Sequence, residues 1–274
     1  MDPFTQSAPW VGRVPPAILD EIGRFAGLLA ARGWSEAQGG NISILLPAER
    51  TARQASAAID STRDSQPAKV AVRHPSLTHR RLVATCSGCR MRDLAMFPPG
   101  GLCFIKLDAE GRQATVEGGM PTMELPTHLA VHAAAVESRE REGAILHTHP
   151  PALIALTHLE SESPALALAE AKPWDMLAPA RLPGFLGAIL PEHGELLSGQ
   201  IAVLPRRCAG GQALAQESAS ASRGHRLILW PLHGVLAWGE TLAEALDIIE
   251  TAEKAAEIAL RILPLLSREN TQVG

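Results

Sequence analysis

Two histidines separated by one residue, His147 and His149, form the sequence pattern with the most direct chemical meaning. They end an apolar, strand-like run, and residues two apart on a strand share a face, so both imidazoles can reach one point in space. Two convergent nitrogens make half of a zinc site, although paired histidines on a strand can also simply be partly buried polar residues. The candidate third ligand is His233, which lies between two short predicted strands and precedes Gly234, where a turn can aim the ring inward.

A second histidine pair competes with this interpretation. His128 and His132 are four residues apart on a predicted helix, which is also a spacing of metal ligands. The zincin pattern requires a glutamate directly after the first histidine, and Leu129 occupies that position. We therefore interpret the pair as solvent-facing helix residues or as residues that support the ligands from behind.

The spacing of Cys86 and Cys89 is that of a CxxC motif. A zinc ribbon needs a second cysteine pair, whereas Cys103 and Cys208 are isolated from each other along the chain. The sequence therefore does not favour a metal or redox site at this motif.

A carboxylate and two glycine-containing turns complete the set of candidate site residues. Glu124 lies between Pro121 and Pro126, just before a predicted helix. It can be a helix-start carboxylate favoured by the helix dipole, or a rigidly placed base beside a metal. The turns at 39–41 and 87–88 can aim backbone N–H groups at an anion, although most such turns only reverse the chain.

Composition limits the partners and the proton donors. The 274 residues carry a formal net charge of −4 with scattered arginines, so the footprint of a nucleic-acid-binding surface is missing. The chain contains no tyrosine, which removes one common general acid. No stretch approaches about 18 uncharged apolar residues, so we expect no membrane span. Four cysteines and the lack of a signal pattern favour a reducing cytoplasm.

Apolar periodicity predicts alternating helices and strands in one domain covering residues 1–274. Helices are expected at 14–32, 126–140, 150–156 and 241–264, the last capped by Thr241 with Glu244 and ended by Pro264. Strands are expected at 42–46, 82–85, 144–149, 226–230 and 235–238, with a hairpin at 102–107 and 114–116. Further strands are expected within 175–204, and residues 48–66 read as a surface excursion.

The order of five motifs resembles that of the class II aldolase and adducin family. The motifs are Gly39-Gly40-Asn41-Ile42-Ser43, Thr85-Cys86-Ser87-Gly88, Pro121-Thr122-Met123-Glu124, His147-Thr148-His149 and Trp230-Pro231-Leu232-His233-Gly234. The resemblance covers nearly the whole chain, apart from an insertion-like stretch at 159–190. It implies an α/β fold, with one three-layer αβα domain around a mixed, mostly antiparallel sheet. It also implies a cyclic homotetramer with active sites at subunit interfaces.

The resemblance also implies a role for each site residue. His147, His149 and His233 match zinc ligands, and Glu124 matches a carboxylate that ligates the resting metal and acts as acid and base. The implied reaction cleaves L-rhamnulose 1-phosphate to dihydroxyacetone phosphate and L-lactaldehyde, with Zn²⁺ stabilising the enediolate. Counting back from Pro205 places Glu192 on a second carboxylate, offered by a neighbouring subunit, but a plain surface glutamate fits that position equally well.

Phosphate contacts are implied for four residues, and the family pattern is altered beside them. The four are Asn41, Ser87, Gly88 and Thr122. Gln38, Cys86 and Met123 stand where the family pattern has Asn, Gly and Ser. Loss of a hydroxyl at position 123 weakens phosphate binding unless a backbone N–H replaces it, which leaves phosphorylation of the substrate open.

Three alternatives to this reaction remain. Fuculose-phosphate aldolase and ribulose-phosphate 4-epimerase belong to the same family, but their mechanisms call on a tyrosine that this chain lacks. A non-catalytic, adducin-like binding module is a different class of protein. The presence of all three histidines together with Glu124 argues against it.

Overall fold

A nine-stranded sheet occupies the centre of the structure, a computed structural model that describes residues 8–48, 67–138, 143–160 and 181–269. The strand order is β2-β5-β4-β3-β1-β6-β9-β8-β7. All neighbouring strands are antiparallel except β7 and β8, which are parallel. The strands are β1 (Asn41–Leu45), β2 (Ala68–Ala71), β3 (Arg81–Thr85), β4 (Leu102–Leu107), β5 (Gln113–Glu117), β6 (Ala144–Thr148), β7 (Ile201–Val203), β8 (Leu227–Trp230) and β9 (Gly234–Gly239).

Helices cover both faces of this sheet, because side chains along each strand alternate between its two sides. Ile42 and Ile44 of β1 pack on a core shared with α1, α2, α4, α5, α6 and α8, whereas Leu45 faces the layer that contains α3. Helix α7 joins α3 in that layer. The helices are α1 (Pro16–Arg32), α2 (Met91–Met96), α3 (Leu125–Glu137), α4 (Pro151–Glu160), α5 (Leu182–Ile189), α6 (Gly194–Gln200), α7 (Gln212–Ser222) and α8 (Leu242–Glu269). The predicted α/β architecture of three αβα layers is confirmed.

Most predicted elements are confirmed within a few residues. The hairpin forms as β4 and β5, with Leu107 paired to Ala114. Helix α1 ends where Gly33 takes a left-handed conformation, as its position after the apolar stripe predicts. At the start of α8, the Glu244 N–H donates to Thr241 Oγ1, and Glu244 accepts the N–H of Glu240 rather than that of Thr241.

Two predictions are wrong, one about the end of a helix and one about element type. Helix α8 continues through Pro264 to Glu269, because a proline removes one helical hydrogen bond without having to end the helix. In 181–204, the described part of the range 175–204 where strands were predicted, most residues form helices α5 and α6, and the short β7 is the single strand. Short apolar runs do not separate buried helix from buried strand, which explains the error. Residues 49–66, 139–142 and 161–180 lie outside the described residues.

None of the helices in the described ranges is both long enough and apolar enough to cross a lipid bilayer. Helix α8 is the longest of them, and one of its faces packs against the sheet core. Its apolar stripe is therefore used within the fold.

A buried carboxylate of α8 caps helix α4. Glu253 is buried, and its two carboxylate oxygens accept the backbone N–H groups of Ala152 and Leu153 at 2.9 and 2.8 Å. These N–H groups belong to the first turn of α4, where they have no partner within the helix. Burial raises the pKa of the Glu253 carboxyl, and the two N–H donors oppose that shift. Because only Pro150 separates His149 from the start of α4 at Pro151, this contact fixes the chain that leaves the histidine pair.

We expect Glu253→Ala to lower the free energy of unfolding by about 2 kcal/mol or more, because two buried N–H groups lose a charged acceptor. Glu250→Ala is the matched control on the same helix, where only an ion pair with Arg32 at the surface is lost. That change should cost less than about 1 kcal/mol. Urea unfolding at a constant m-value measures both. Equal losses in the two variants would contradict the capping role.

Candidate metal centre

Two neighbouring strands bring three histidines together at one end of the sheet. His147 lies near the end of β6, His149 follows that strand, and His233 lies in the turn between β8 and β9. Strands β6 and β9 are paired antiparallel, with Thr148 opposite Val235, so the end of β6 meets the start of β9. Strand pairing therefore places His233 next to the histidine pair, although these residues are far apart along the sequence.

The ring nitrogens of the three histidines face a common point. One nitrogen from each ring lies within 4.8 Å of the other two, and the Nε2 atoms of His147 and His149 are 3.1 Å apart. The outer nitrogens have partners: His147 Nδ1 donates to the Val235 carbonyl at 2.8 Å, and His149 Nδ1 donates to the Glu36 carboxylate at 2.7 Å. These contacts leave the Nε2 lone pairs free, as in metal-ligating histidines.

The protonation states also fit metal ligation. Burial lowers the pKa of His147 well below its usual value, and the nearby His149 and His233 charges add to this effect. Burial and the His149 charge lower the pKa of His233 to about 4. Both rings are therefore neutral near pH 7, which is the form that binds a metal ion. Three convergent imidazoles, two of them neutral on these grounds, match the donor set of a zinc site.

A carboxylate lies against this triad. Glu124 is 5% exposed and precedes α3, yet its side chain does not cap that helix. Its Oε2 atom is 3.2 Å from His147 Nε2 and 2.7 Å from the donating Asn41 Nδ2, and its Oε1 atom is 3.4 Å from His233 Nε2. Burial raises the pKa of Glu124, while the Asn41 hydrogen bond and the His149 charge lower it. The Glu124 side chain therefore faces the three histidines rather than the first turn of α3.

Two glycines allow the backbone to approach the histidines closely. Gly40 has a φ of +75°, and a Cβ atom there would lie 2.8 Å from the His147 carbonyl oxygen. A Cβ atom at Gly234 would lie 2.8 Å from the His149 ring. Side chains at either position would displace the histidines, so these glycines shape the site itself.

The comparisons with known proteins agree with this geometry. Residues 20–260 match the family model described as the class II aldolase and adducin N-terminal domain. The chain belongs to the class II aldolase and adducin family. A rhamnulose-1-phosphate aldolase from Mannheimia succiniciproducens is 29% identical over 246 residues, covering 88% of this chain and 84% of the relative. One from Yersinia pseudotuberculosis serotype O:1b is 29% identical over 250 residues, covering 88% and 83%.

Solved structures show the same fold. The crystal structure of a sugar-phosphate aldolase from Thermotoga maritima has a TM-score of 0.62 and 30% identity, covering 91% of this class II aldolase and 96% of that chain. An L-fuculose-1-phosphate aldolase from Thermus thermophilus has a TM-score of 0.51 and 22% identity, with coverage of 90% and 95%. This second likeness is one of fold alone.

The turns matched to phosphate contacts meet around Thr85 of the aldolase. The Thr122 N–H donates to the Thr85 carbonyl at 3.0 Å, and the Ile42 N–H donates to Thr85 Oγ1 at 3.2 Å. Ser87 and Gly88 follow Thr85 directly, and the Gln38 amide lies next to Gly88. The two turns and Thr122 therefore lie at one end of the sheet.

Their side chains are not equally available. Both polar atoms of the Asn41 amide are bonded, one to Glu124 and the other to His128. Thr122 Oγ1 accepts the Glu124 N–H at 3.3 Å. The Met123 side chain is 71% exposed and offers no donor where the family pattern has a serine.

Glu192 lies apart from these residues in the aldolase sequence and in a different element. It belongs to a single 3-10 turn, Pro191–His193, between α5 and α6, and its side chain is exposed.

Cys86 and Cys89 of the CxxC motif are free thiols. An isolated antiparallel β-bridge between the backbones of Cys86 and Pro121 joins their turn to the segment before Glu124.

The structure defines the contacts of residues around the aldolase site that the sequence left unassigned or with two interpretations. His128 and His132 are completely or nearly completely buried, so the solvent-facing interpretation is wrong and the supporting one agrees with the contacts. Ser43 bonds both rings, and its spacing of two from Asn41 on a strand was the available signal. Glu36 contacts His149 from a loop that no periodicity marks. Trp230 packs on the His147 ring at a centroid distance of 4.6 Å.

We expect His149→Ala to abolish tight binding of a divalent metal by the aldolase. The substitution removes one of the four candidate donors, which are three imidazoles and the Glu124 carboxylate. His158→Ala is the control. His158 lines the same cavity of about 390 Å³ beside His149 but lies outside the triad. Elemental analysis after dialysis measures the metal content. Retention of one equivalent of tightly bound metal by His149→Ala would contradict the ligand assignment.

Proposed function

We propose that this class II aldolase is a zinc-dependent enzyme that cleaves L-rhamnulose 1-phosphate to dihydroxyacetone phosphate and L-lactaldehyde. The observation that carries the proposal is the His147, His149 and His233 triad with the Glu124 carboxylate against it. The relatives named rhamnulose-1-phosphate aldolase, at 29% identity over 88% of the chain, support the choice of substrate. The absence of tyrosine separates this chain from the tyrosine-dependent family members.

The bound metal would supply Lewis-acid stabilisation of the negative charge that develops on the ketose carbonyl oxygen when the C3–C4 bond breaks. His147, His149 and His233 would hold it through Nε2. The Val235 carbonyl and the Glu36 carboxylate orient two of these rings and make them better donors. The chain supplies the orientation of the donors, and no lysine is needed as an electrophile.

Glu124 is the proposed acid and base. Its buried position raises its pKa, so that more of this carboxyl carries a proton near neutral pH than in an exposed glutamate. Oε2 is tied to Asn41, while Oε1 faces the more open side near His233. We assign proton transfer to the enediolate carbon to this carboxyl. Glu192 is the proposed second carboxylate, supplied by a neighbouring subunit, and its exposed position suits that role.

The phosphate is proposed to bind where the two glycine turns meet Thr122. Gly88 has a φ of +77°, which suits a turn that aims N–H groups at an anion. Ser87 and Thr122 are proposed to contribute hydroxyls, and Asn41 lies at the start of β1, directly after the first glycine turn. The Ser87 N–H donates to the Met120 carbonyl at 2.8 Å, so with Met123 exposed we assign the missing donor to the backbone N–H of Gly88. A homotetramer with sites at subunit interfaces and a cytoplasmic location, suited to four free cysteines, complete the proposal.

We expect zinc-loaded protein to cleave L-rhamnulose 1-phosphate with a kcat/KM at least about tenfold above those for L-fuculose 1-phosphate and free L-rhamnulose. A coupled assay for dihydroxyacetone phosphate or dihydroxyacetone measures all three reactions. Preference for the free ketose would contradict the phosphate site. Failure to retain any divalent metal would favour an adducin-like binding module instead.

Glu124→Gln should keep its metal but lose proton transfer, because the amide cannot exchange a proton with carbon. The rate of hydrogen exchange at C3 of dihydroxyacetone phosphate should fall by at least about 100-fold. Glu110→Gln, an exposed glutamate in the β4–β5 turn, is the control and should exchange normally. An unchanged exchange rate in Glu124→Gln with full metal content would assign the base to another group.

A further inference from the structure

A chain of buried polar side chains leads away from Glu124 into the layer between β1 and α3. Its members are Asn41 and Ser43 on β1, and His128 and His132 on α3. Buried polar groups without partners cost about 1–3 kcal/mol each, so such a cluster requires complete hydrogen bonding. The chain begins at the proposed acid and base and includes no proposed metal ligand beyond it.

The direction of each hydrogen bond in this chain follows from the first one. The amide nitrogen Asn41 Nδ2 can only donate, so Glu124 Oε2 accepts its hydrogen at 2.7 Å. Asn41 Oδ1 can only accept, so the partner His128 Nε2 carries a hydrogen and donates to it at 2.5 Å. The orientation of the amide is thus fixed by the carboxylate on one side and by the histidine on the other.

The remaining two bonds continue in the same direction. Burial lowers the pKa of His128 to about 3, so its ring is neutral and its Nδ1, without a hydrogen, accepts from Ser43 Oγ at 2.6 Å. The single hydroxyl hydrogen of Ser43 is then used, so Ser43 Oγ accepts from His132 Nε2 at 2.8 Å. Burial also lowers the pKa of His132 to about 3, and the Arg80 charge adds to this effect. Both rings carry their hydrogen on Nε2.

We propose that His128 is a positioning residue for the acid and base: it holds the Asn41 amide with its N–H₂ group toward Glu124. Without the His128 donor, the amide can rotate and turn its carbonyl toward the carboxylate. The bond from Asn41 ties down Oε2 and leaves Oε1 on the open side for proton transfer. This inference rests on the proposed function of Glu124, while the arrangement of hydrogens in the chain can be tested without it.

Two substitutions of His128 separate positioning from packing. The side-chain nitrogen of Gln overlies imidazole Nε2, so His128→Gln keeps a donor for Asn41. The amide of Asn overlies Nδ1, so His128→Asn keeps a polar group for Ser43 and withdraws the donor from Asn41. We expect His128→Asn to lower kcat by about 10- to 100-fold with unchanged KM and metal content, and His128→Gln to restore most of the kcat.

Two kinetic results would contradict the positioning role of His128. Wild-type kcat in His128→Asn, or equal kcat losses in the two variants in proportion to their losses of unfolding free energy, would show a structural role only and overturn the inference.

A measurement on the unmodified protein requires no activity. Proton–nitrogen NMR of protein with isotope-labelled histidine should show His128 and His132 as neutral Nε2–H tautomers from about pH 6 to about pH 9. Their signals are assigned by their loss in His128→Gln and in His132→Gln. A hydrogen on Nδ1 of His128 would overturn the inference even in an active enzyme. If no ketose phosphate is cleaved, the proposed function fails. The NMR spectrum alone then decides the direction of the hydrogen bonds among Asn41, His128, Ser43 and His132.

Discussion

The antiparallel pairing of β6 with β9 is the contact on which the histidine triad depends. It places residues 147–149 beside the turn that carries His233, although helices α4 to α7 and strands β7 and β8 intervene along the chain. Converging imidazoles tolerate little displacement, because each nitrogen must keep its lone pair toward the same point. The surrounding structure reinforces that pairing: the Val235 carbonyl orients His147, and Gly234 lets the two strands approach. The rest of the site is arranged around this pair of strands.

Supports of a different kind hold the segments on either side of the pairing. The N–H of Leu232, a residue with a φ of +64°, donates to Thr157 Oγ1, so α4 restrains the turn next to His233. Glu253 in turn caps α4, and so connects the last helix to the histidine turn through two steps. A left-handed leucine is strained on its own and persists because its surroundings hold it. The precision of the site therefore depends on helices that contribute no ligand.

Sequence reasoning succeeded where the information is local. The strand period predicts that His147 and His149 share a face, and the capping residues of α8 predict its start. It failed where the answer depends on packing between distant elements. Nothing in the neighbourhood of His128 indicates that β1 lies over its ring with Ser43 and Asn41, and Glu36 is marked by no pattern. The continuation of α8 through Pro264 is a similar case, since the cost of one lost hydrogen bond must be weighed against contacts that the sequence does not display.

The strand order divides the sheet into two contiguous halves that meet at β1 and β6. Strands β1 to β5 all come from the part of the chain before residue 118, and β6 to β9 all come from the part after residue 143. Asn41 belongs to the first part and all three histidines belong to the second, while Glu124 lies on the segment that links the two parts. The residue that orients the carboxylate and the residues that face the metal position are thus contributed by different halves of the sheet. At the junction of the halves, β1 pairs with β6 and Asn41 lies opposite His147. A shift of one half relative to the other along this strand pair would separate the carboxylate from the imidazoles before it disturbed the structure within either half.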